Sequence, residues 1–370
     1  MEAMNGRRLL HVSTTINRGG AENHLFDLVQ HQREVGAVVE VAYLRGQRRE
    51  LGVPAHDLQL RFYGDVMPVL RLRRIIARFQ PELVHAHLPP GELYARLALI
   101  GHSVPMLITK HNAEPFYRGV GEKLMGRWVA RRATAVIVIS NAVADYMRGP
   151  ALGLRTDKLH TIHYGMDPRP FENASREAGA VVRQQWGVPP EALLVGFVGR
   201  LAPQKSVDTL LRGFALLRQR TEADVRLALV GSGRDEPILR QLASDLDIAD
   251  RVVWPGFRED APAVMRAFDI FALTSIYEGF GLALVEAMAA QLPVVATGAS
   301  AMLEIVEDGK SGLLVRPREP GDVADALHRL CDRELRARLG AAGSRRVREE
   351  FTLERMFRAT DELYATFLPS

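Results

Sequence analysis

Arg200 and Lys205 stand five residues apart in the run Gly199-Arg200-Leu201-Ala202-Pro203-Gln204-Lys205-Ser206. The residues before this run read as a strand, and those after it as a long helix. Cations at a helix start oppose the helix dipole, so the pair is expected to be held for an anion. A guanidinium can bind two phosphate oxygens, and an ammonium adds a point charge. A merely solvated helix start is the plain alternative. A second cluster, Thr274-Ser275-Ile276-Tyr277-Glu278-Gly279-Phe280-Gly281, also follows an apolar run and opens a helix. Its glycines free backbone amides at a helix N-terminus, where an anion is favoured. Glu278 beside that turn can accept hydrogen bonds from sugar hydroxyls. Glu286, about two turns further on, can grip a ribose diol. It lies in the otherwise apolar run LALVEAMAA, where a buried carboxylate needs partners.

Two further clusters follow strands of the first half. In Arg18-Gly19-Gly20-Ala21-Glu22, paired glycines before a helix let backbone N–H groups approach a phosphate, although a tight turn needs them equally. In Thr109-Lys110-His111-Asn112, the histidine can donate a hydrogen bond to a ligand, although a lone histidine is commonly structural. Three other patterns fail. Asp245-Leu246-Asp247 has the spacing of a metal-binding carboxylate pair but sits at a helix end, not after a strand. His85 and His87 alternate along a strand without a third ligand nearby, so no metal site is expected; His87, at the strand end, is a candidate to line a cleft. Gly231-Ser232-Gly233 starts like a dinucleotide fingerprint, but Glu236 stands where the third glycine belongs.

The elements that must carry these clusters are short apolar, β-branched runs alternating with amphipathic stretches. Strands are expected at 8–13, 37–44, 82–86, 106–110, 134–139 and 158–163. A second series runs through 193–198, 225–230, 251–254, 268–273, 292–296 and 312–315. Helical patterns cover 21–34, 67–79, 121–132, 141–147, 175–186 and 352–367. Strands apolar on both faces need helices on both sides, hence parallel sheets. Two such series imply two doubly wound α/β domains, 1–170 and 171–351, with the last stretch 352–370 returning to the first. Ligands of such sheets bind beyond the carboxyl ends of the strands, which is where the clusters lie.

The chain has 370 residues, more than one core usually supports. A single cysteine, Cys331, excludes an internal disulfide and fits a reducing compartment. No apolar run approaches a membrane span and the N-terminus lacks a signal-peptide pattern, so a cytoplasmic protein is expected. Residues 1–170 carry 23 Lys+Arg against 15 Asp+Glu, and the remainder 25 against 29. The basic half, with basic amphipathic stretches at 67–79 and 121–132, suits peripheral contact with an anionic membrane. If it is not drift, the same charge could serve phosphates. A nucleic-acid partner is not expected.

The order and spacing of GRLAPQKSVDTLL, LVGSG, PGF, EGFGLALVEAMAAQLPVVAT and EIVEDGKSGLLV resemble the retaining glycosyltransferases of family 4. The likeness is dense over roughly 190–320 and thinner in the first half, through RGGAE, VHAH, TKHN and VISNAV. It implies the GT-B fold, two Rossmann-like domains facing each other across a cleft. It also implies transfer from a UDP- or GDP-sugar to a hydroxyl acceptor in glycan, polysaccharide or glycolipid synthesis. By motif, Arg200, Lys205, Gly19 and Gly20 would meet the donor diphosphate. Glu278 and His111 would be catalytic, with Gly279, Phe280 and Gly281 at the sugar and phosphate. Glu286 would hold the ribose, Phe257 the base, and Asn112 would join His87 at the cleft. No cofactor and no metal are implied. Attack is expected on the face the leaving phosphate departs from, with that phosphate helping to deprotonate the acceptor. A nucleotide-sugar epimerase-like enzyme and a non-catalytic nucleotide-sugar-binding subunit are the alternatives. Ser300-Ala301-Met302-Leu303-Glu304 departs from the family's usual Gly-x-Pro-Glu turn, which leaves the loop shape there open.

Overall fold

A computed structural model describes residues 4–17, 19–46, 50–112, 120–149 and 154–368. Arg18 lies outside them. The chain forms two compact units, Met1–Tyr164 with Leu353–Ser370, and Gly165–Thr352.

The first unit runs β1 (Arg8–Ser13), α1 (Gly20–Glu34), β2 (Val38–Tyr43), β3 (Ala55–Asp57), α2 (Met67–Phe79), β4 (Leu83–His87), α3 (Pro89–Ala98), β5 (Met106–Lys110), α4 (Val120–Arg132), β6 (Ala135–Val138), α5 (Asn141–Arg148) and β7 (Leu159–Thr161). Among the described residues its seven strands, all parallel, lie in the order β3-β2-β1-β4-β5-β6-β7. Two elements escape sequence reading. β3 is three residues long and has no β-branched residue. α3 opens on Pro89-Pro90, which reads as a loop but suits a first helical turn, where no N–H is needed.

The second unit runs α6 (Arg169–Glu172), α7 (Arg176–Gln185), β8 (Leu193–Val198), α8 (Val207–Arg218), β9 (Val225–Val230), α9 (Glu236–Asp245), β10 (Val252–Gly256), α10 (Ala261–Ala267), β11 (Ile270–Leu273), α11 (Leu282–Ala289), β12 (Val294–Thr297), α12 (Met302–Ile305), β13 (Leu313–Val315), α13 (Pro320–Arg329) and α14 (Arg333–Glu350). Six parallel strands lie in the order β10-β9-β8-β11-β12-β13. β11 and β12 are buried at every position, as strands covered on both faces must be.

The last helix, α15 (Leu353–Ala365), belongs to the first unit and packs on α1. Phe357 stacks on His31 at 4.2 Å between ring centres, and His31 Nε2 meets Asp361 Oδ2 at 2.8 Å. Tyr364 is fully buried, and its hydroxyl lies 2.5 Å from His85 Nδ1 in β4. Tyr364→Phe therefore leaves a buried ring nitrogen without its partner. It should lower the stability of the first unit by about 1–3 kcal/mol, read as an earlier urea midpoint at unchanged slope. An unchanged midpoint would show that the contact contributes nothing.

Candidate functional site

In the second unit the site is built from the turns that leave β8 and β11, which are neighbours in the sheet. After β8 the backbone passes Gly199–Leu201 and a short turn, Pro203–Lys205, then enters α8 through Ser206 at φ 47°. The same loop is sewn to the turn after β9. Gly199 N donates to Val230 O at 3.0 Å, and Leu201 N to Ser232 O at 3.0 Å. A Cβ at Gly231 would stand 1.9 Å from Gly199 O, and one at Gly233 would stand 2.0 Å from Leu201 O. The Gly-Ser-Gly that fails as a dinucleotide fingerprint is thus the groove through which the Arg200 loop runs.

The turn after β11 is tied to the same loop. Ile276 N donates to Gln204 O at 2.8 Å, Gln204 Nε2 to Tyr277 O at 2.9 Å, and Thr274 Oγ1 to Ser206 O at 3.0 Å. Between the two turns, Lys205 Nζ and Ser275 Oγ each lie 2.5 Å from Glu278 Oε1. Glu278 is buried, and its other oxygen has no hydrogen bond among the described residues. Arg200 is exposed and forms no ion pair among them. Gly281, at φ 107°, caps the start of α11 in a conformation that L side chains rarely adopt. Phe280 turns inward, its ring edge-on to Phe351 at 5.6 Å. Ser300, which sequence reading passed over except as a departure, takes φ 53° and donates to Glu278 O at 2.8 Å. It anchors the turn from the third side.

Glu286 is half-buried on α11 without a hydrogen-bond or ion-pair partner among the described residues. Burial raises its carboxyl to about 7. Phe257, just past β10, is 69% exposed. Asp245 and Asp247 lie exposed at the end of α9, where Asp245 Oδ1 accepts from Gln241.

In the first unit, Gly19 caps α1 in extended backbone and accepts from Asn23 N at 2.8 Å. Glu22 folds back over it; a Cβ at Gly19 would stand 2.4 Å from Glu22 Oε2. Gly20 is exposed, as is Asn112 at the end of β5. The strand ends hold more polar chemistry than the motifs announced. Lys110 and Glu92 form a buried ion pair, and burial raises the Glu92 carboxyl. His87 does not line an opening: it is 1% exposed. Parallel pairing of β1 and β4 aligns His11 with His85, so a third histidine does lie nearby, contrary to the reading from β4 alone. Ring nitrogens of His11, His85 and His87 fall within 4.8 Å of one another. Each of their six ring nitrogens already has a hydrogen-bond partner, among Gln32, Tyr364, Thr109, His111 and one another. The trio is therefore a hydrogen-bonded cluster rather than a vacant ligand set. His111, half-buried, turns Nε2 toward His87 Nδ1 at 3.3 Å and Nδ1 onto the Tyr164 hydroxyl. Burial holds all of these imidazoles neutral: His11 falls to about 4, His24 to about 3, and His85, His87 and His111 lie well below the ordinary range. His11, His24, Gln32 and Tyr164 carry no motif. Only strand register and helix packing bring them together.

Because Glu286 keeps its proton to about pH 7 when folded but only to about 4.5 when unfolded, folding is penalised increasingly as pH rises between those values and fully above them. Glu286→Gln should raise the melting temperature at pH 8, by the equivalent of about 1–3 kcal/mol, and the gain should vanish below about pH 4.5. A gain independent of pH would place the cause elsewhere.

Residues 192–333 match the family model described as Glycosyl transferases group 1, and residues 18–169 match Glycosyltransferase Family 4. A D-inositol 3-phosphate glycosyltransferase of Salinispora arenicola is 33% identical over 85% of this chain and 75% of its own length. The alpha-maltose-1-phosphate synthase of Mycolicibacterium smegmatis is 30% identical over 94% and 95%. The match to the D-inositol 3-phosphate glycosyltransferase of Stackebrandtia nassauensis, 36% identical over 64% of this chain, spans only 54% of that protein. Among solved structures, Anabaena HepE in complex with UDP and glucose aligns at TM-score 0.86 and 23% identity, over 97% of this chain and 100% of that one. The glycosyltransferase of Rickettsia africae aligns at TM-score 0.87 and 18% identity, over 98% of both chains. With two parallel-sheet Rossmann-like units of the GT-B type and both halves of the family matched, the chain belongs to glycosyltransferase family 4.

Proposed function

We propose that this chain is a retaining glycosyltransferase that moves a sugar from a nucleotide-diphosphate donor to a hydroxyl acceptor, using no metal ion. One observation carries the reading: Glu278 is held between Lys205 and Ser275 by a single oxygen, directly before the N-terminus of α11. That leaves one carboxylate oxygen for sugar hydroxyls, with the Lys205 ammonium beside it. Arg200, Lys205 and the amides of Gly279, Phe280 and Gly281 stabilise charge growing on the leaving diphosphate. Glu286, protonated or ionised near neutral pH, can bond a ribose diol, and the exposed Phe257 ring can stack on a base. Gly19 and Gly20 have the diphosphate as their task in the first unit, and His111 the sugar. UDP is the first donor nucleotide to try, because HepE is seen with UDP and glucose. A phosphorylated polyol, as in the names of the inositol phosphate relatives, belongs among the acceptors tested beside glycan and lipid-linked hydroxyls.

The test is turnover of UDP-, GDP- and ADP-sugars with and without acceptors by dialysed enzyme in excess EDTA. Transfer with retention should persist. Glu278→Ala and Lys205→Ala should each lower kcat/KM by about 100-fold, and Mg²⁺ should not restore either. Loss of transfer in EDTA with rescue by Mg²⁺ would overturn the metal-free reading. An altered sugar released without acceptor would favour an epimerase, and binding without turnover a binding subunit.

Peripheral contact with an anionic membrane is part of the same proposal. No helix among the described residues is long and apolar enough to cross a membrane. α2 and α4 both pack beside α3, and their surroundings expose Phe62, Tyr63, Val66, Leu70, Val120 and Leu124. Exposed Arg74, Arg127 and Arg131 flank them. Arg71, Arg73 and Arg78 bond within the unit instead. Vesicles containing anionic lipid should sediment the protein at low salt, and Leu124→Glu with Arg131→Glu should release it. Equal recovery with neutral vesicles would end the idea.

A further inference from the structure

Three histidines of the first unit, His111, His87 and His11, form a single file between Tyr164 and Gln32. The Tyr164 hydroxyl meets His111 Nδ1, His111 Nε2 meets His87 Nδ1 at 3.3 Å, His87 Nε2 meets His11 Nδ1 at 3.0 Å, and His11 Nε2 meets Gln32 Oε1 at 2.8 Å. His11, His87 and Gln32 are each at most 1% exposed. A neutral imidazole has one N–H and one lone pair. In a file of such rings, each proton position is therefore dictated by the next ring, and the whole file has one polarity. Gln32 sets it. With its carboxamide oxygen on His11, His11 must carry its proton on Nε2, hence His87 on Nε2, hence His111 on Nε2, and Tyr164 donates to His111 Nδ1. An amide at the end takes up no proton near neutrality, so the file does not conduct; it assigns tautomers.

We infer that Gln32, His11 and His87 are positioning residues that fix His111 as the Nε2–H tautomer and aim that N–H. This rests on the proposed role of His111 at the transferred sugar. The 3.3 Å contact to His87 is the longest link in the file, and His111 is the only one of its three rings that is not fully buried. A ligand hydroxyl can compete for the His111 N–H there, while Tyr164 holds the opposite nitrogen. The arrangement has the logic of a group that orients a catalytic or metal-bound histidine through its second nitrogen, extended over two further rings to an amide.

The test reads the tautomer directly. In protein labelled with ¹⁵N-histidine, the His111 ring nitrogens near neutral pH should report a protonated Nε2 and a bare Nδ1. Gln32→Met removes the terminal acceptor without touching His111. It should leave His111 divided between tautomers and lower kcat/KM for the donor about tenfold, the scale of losing an orienting partner. His87→Phe should do the same. His87→Gln, which supplies one acceptor and one donor, should recover most of both. A His111 proton on Nδ1 in the wild type, or an unchanged His111 signal in Gln32→Met and His87→Phe, overturns the inference. Full transfer by His111→Ala would instead overturn the role of His111 and leave the tautomer result standing.

Discussion

A parallel sheet delivers every strand's carboxyl end to one edge, and in each unit the chain starts a sheet in the middle and later adds strands on the other side. β1 and β4 are the neighbours at which this reversal occurs in the first unit, and β8 and β11 in the second. The loops leaving such a pair diverge to opposite sides and open a crevice between them. The polar chemistry is found beside these pairs. His11, His85 and His87 sit on β1 and β4, while Lys205 and Glu278 follow β8 and β11.

What fills each crevice differs in electrostatic design. In the second unit it is charged and half-satisfied. Glu278 shares one oxygen between an ammonium and a hydroxyl, Arg200 projects without a counter-ion among the described residues, and Glu286 is half-buried without a bonded partner. Groups left in that condition cost stability unless a ligand completes them. The glycines at 231 and 233 are required for backbone passage, and Ser300 bonds the Glu278 carbonyl, so the loops are held rigid around the unsatisfied groups. In the first unit the crevice is neutral and nearly closed. His11, His87 and His111 bond one another there, His85 bonds Tyr364 and Thr109, and burial keeps each from taking a second proton, because two adjacent imidazolium charges would repel in a site that solvates neither. A buried ion pair there, Lys110 with Glu92, holds β5 against α3. Such a pair has little net value in itself, but either partner alone would be costly.

By itself the amino-acid sequence determined the fold class, because strands apolar on both faces admit a doubly wound parallel sheet and little else. It also determined the second unit's motif residues. These lie on single turns between a strand and the helix after it, so glycine, cation and carboxylate are neighbours in the chain before they are neighbours in space. The tertiary structure decided the rest. That Lys205 bonds Glu278, 73 positions away, depends on β8 lying against β11, and that Gly231 and Gly233 admit the Arg200 loop depends on β9 lying on the other side. The histidine file joins β1, α1, β4, the end of β5 and the segment that follows β7. Its members are isolated letters in the sequence. Their meeting follows from a register between strands more than 70 residues apart, and local patterning, whose physics reaches only a few residues, carries no record of such a register.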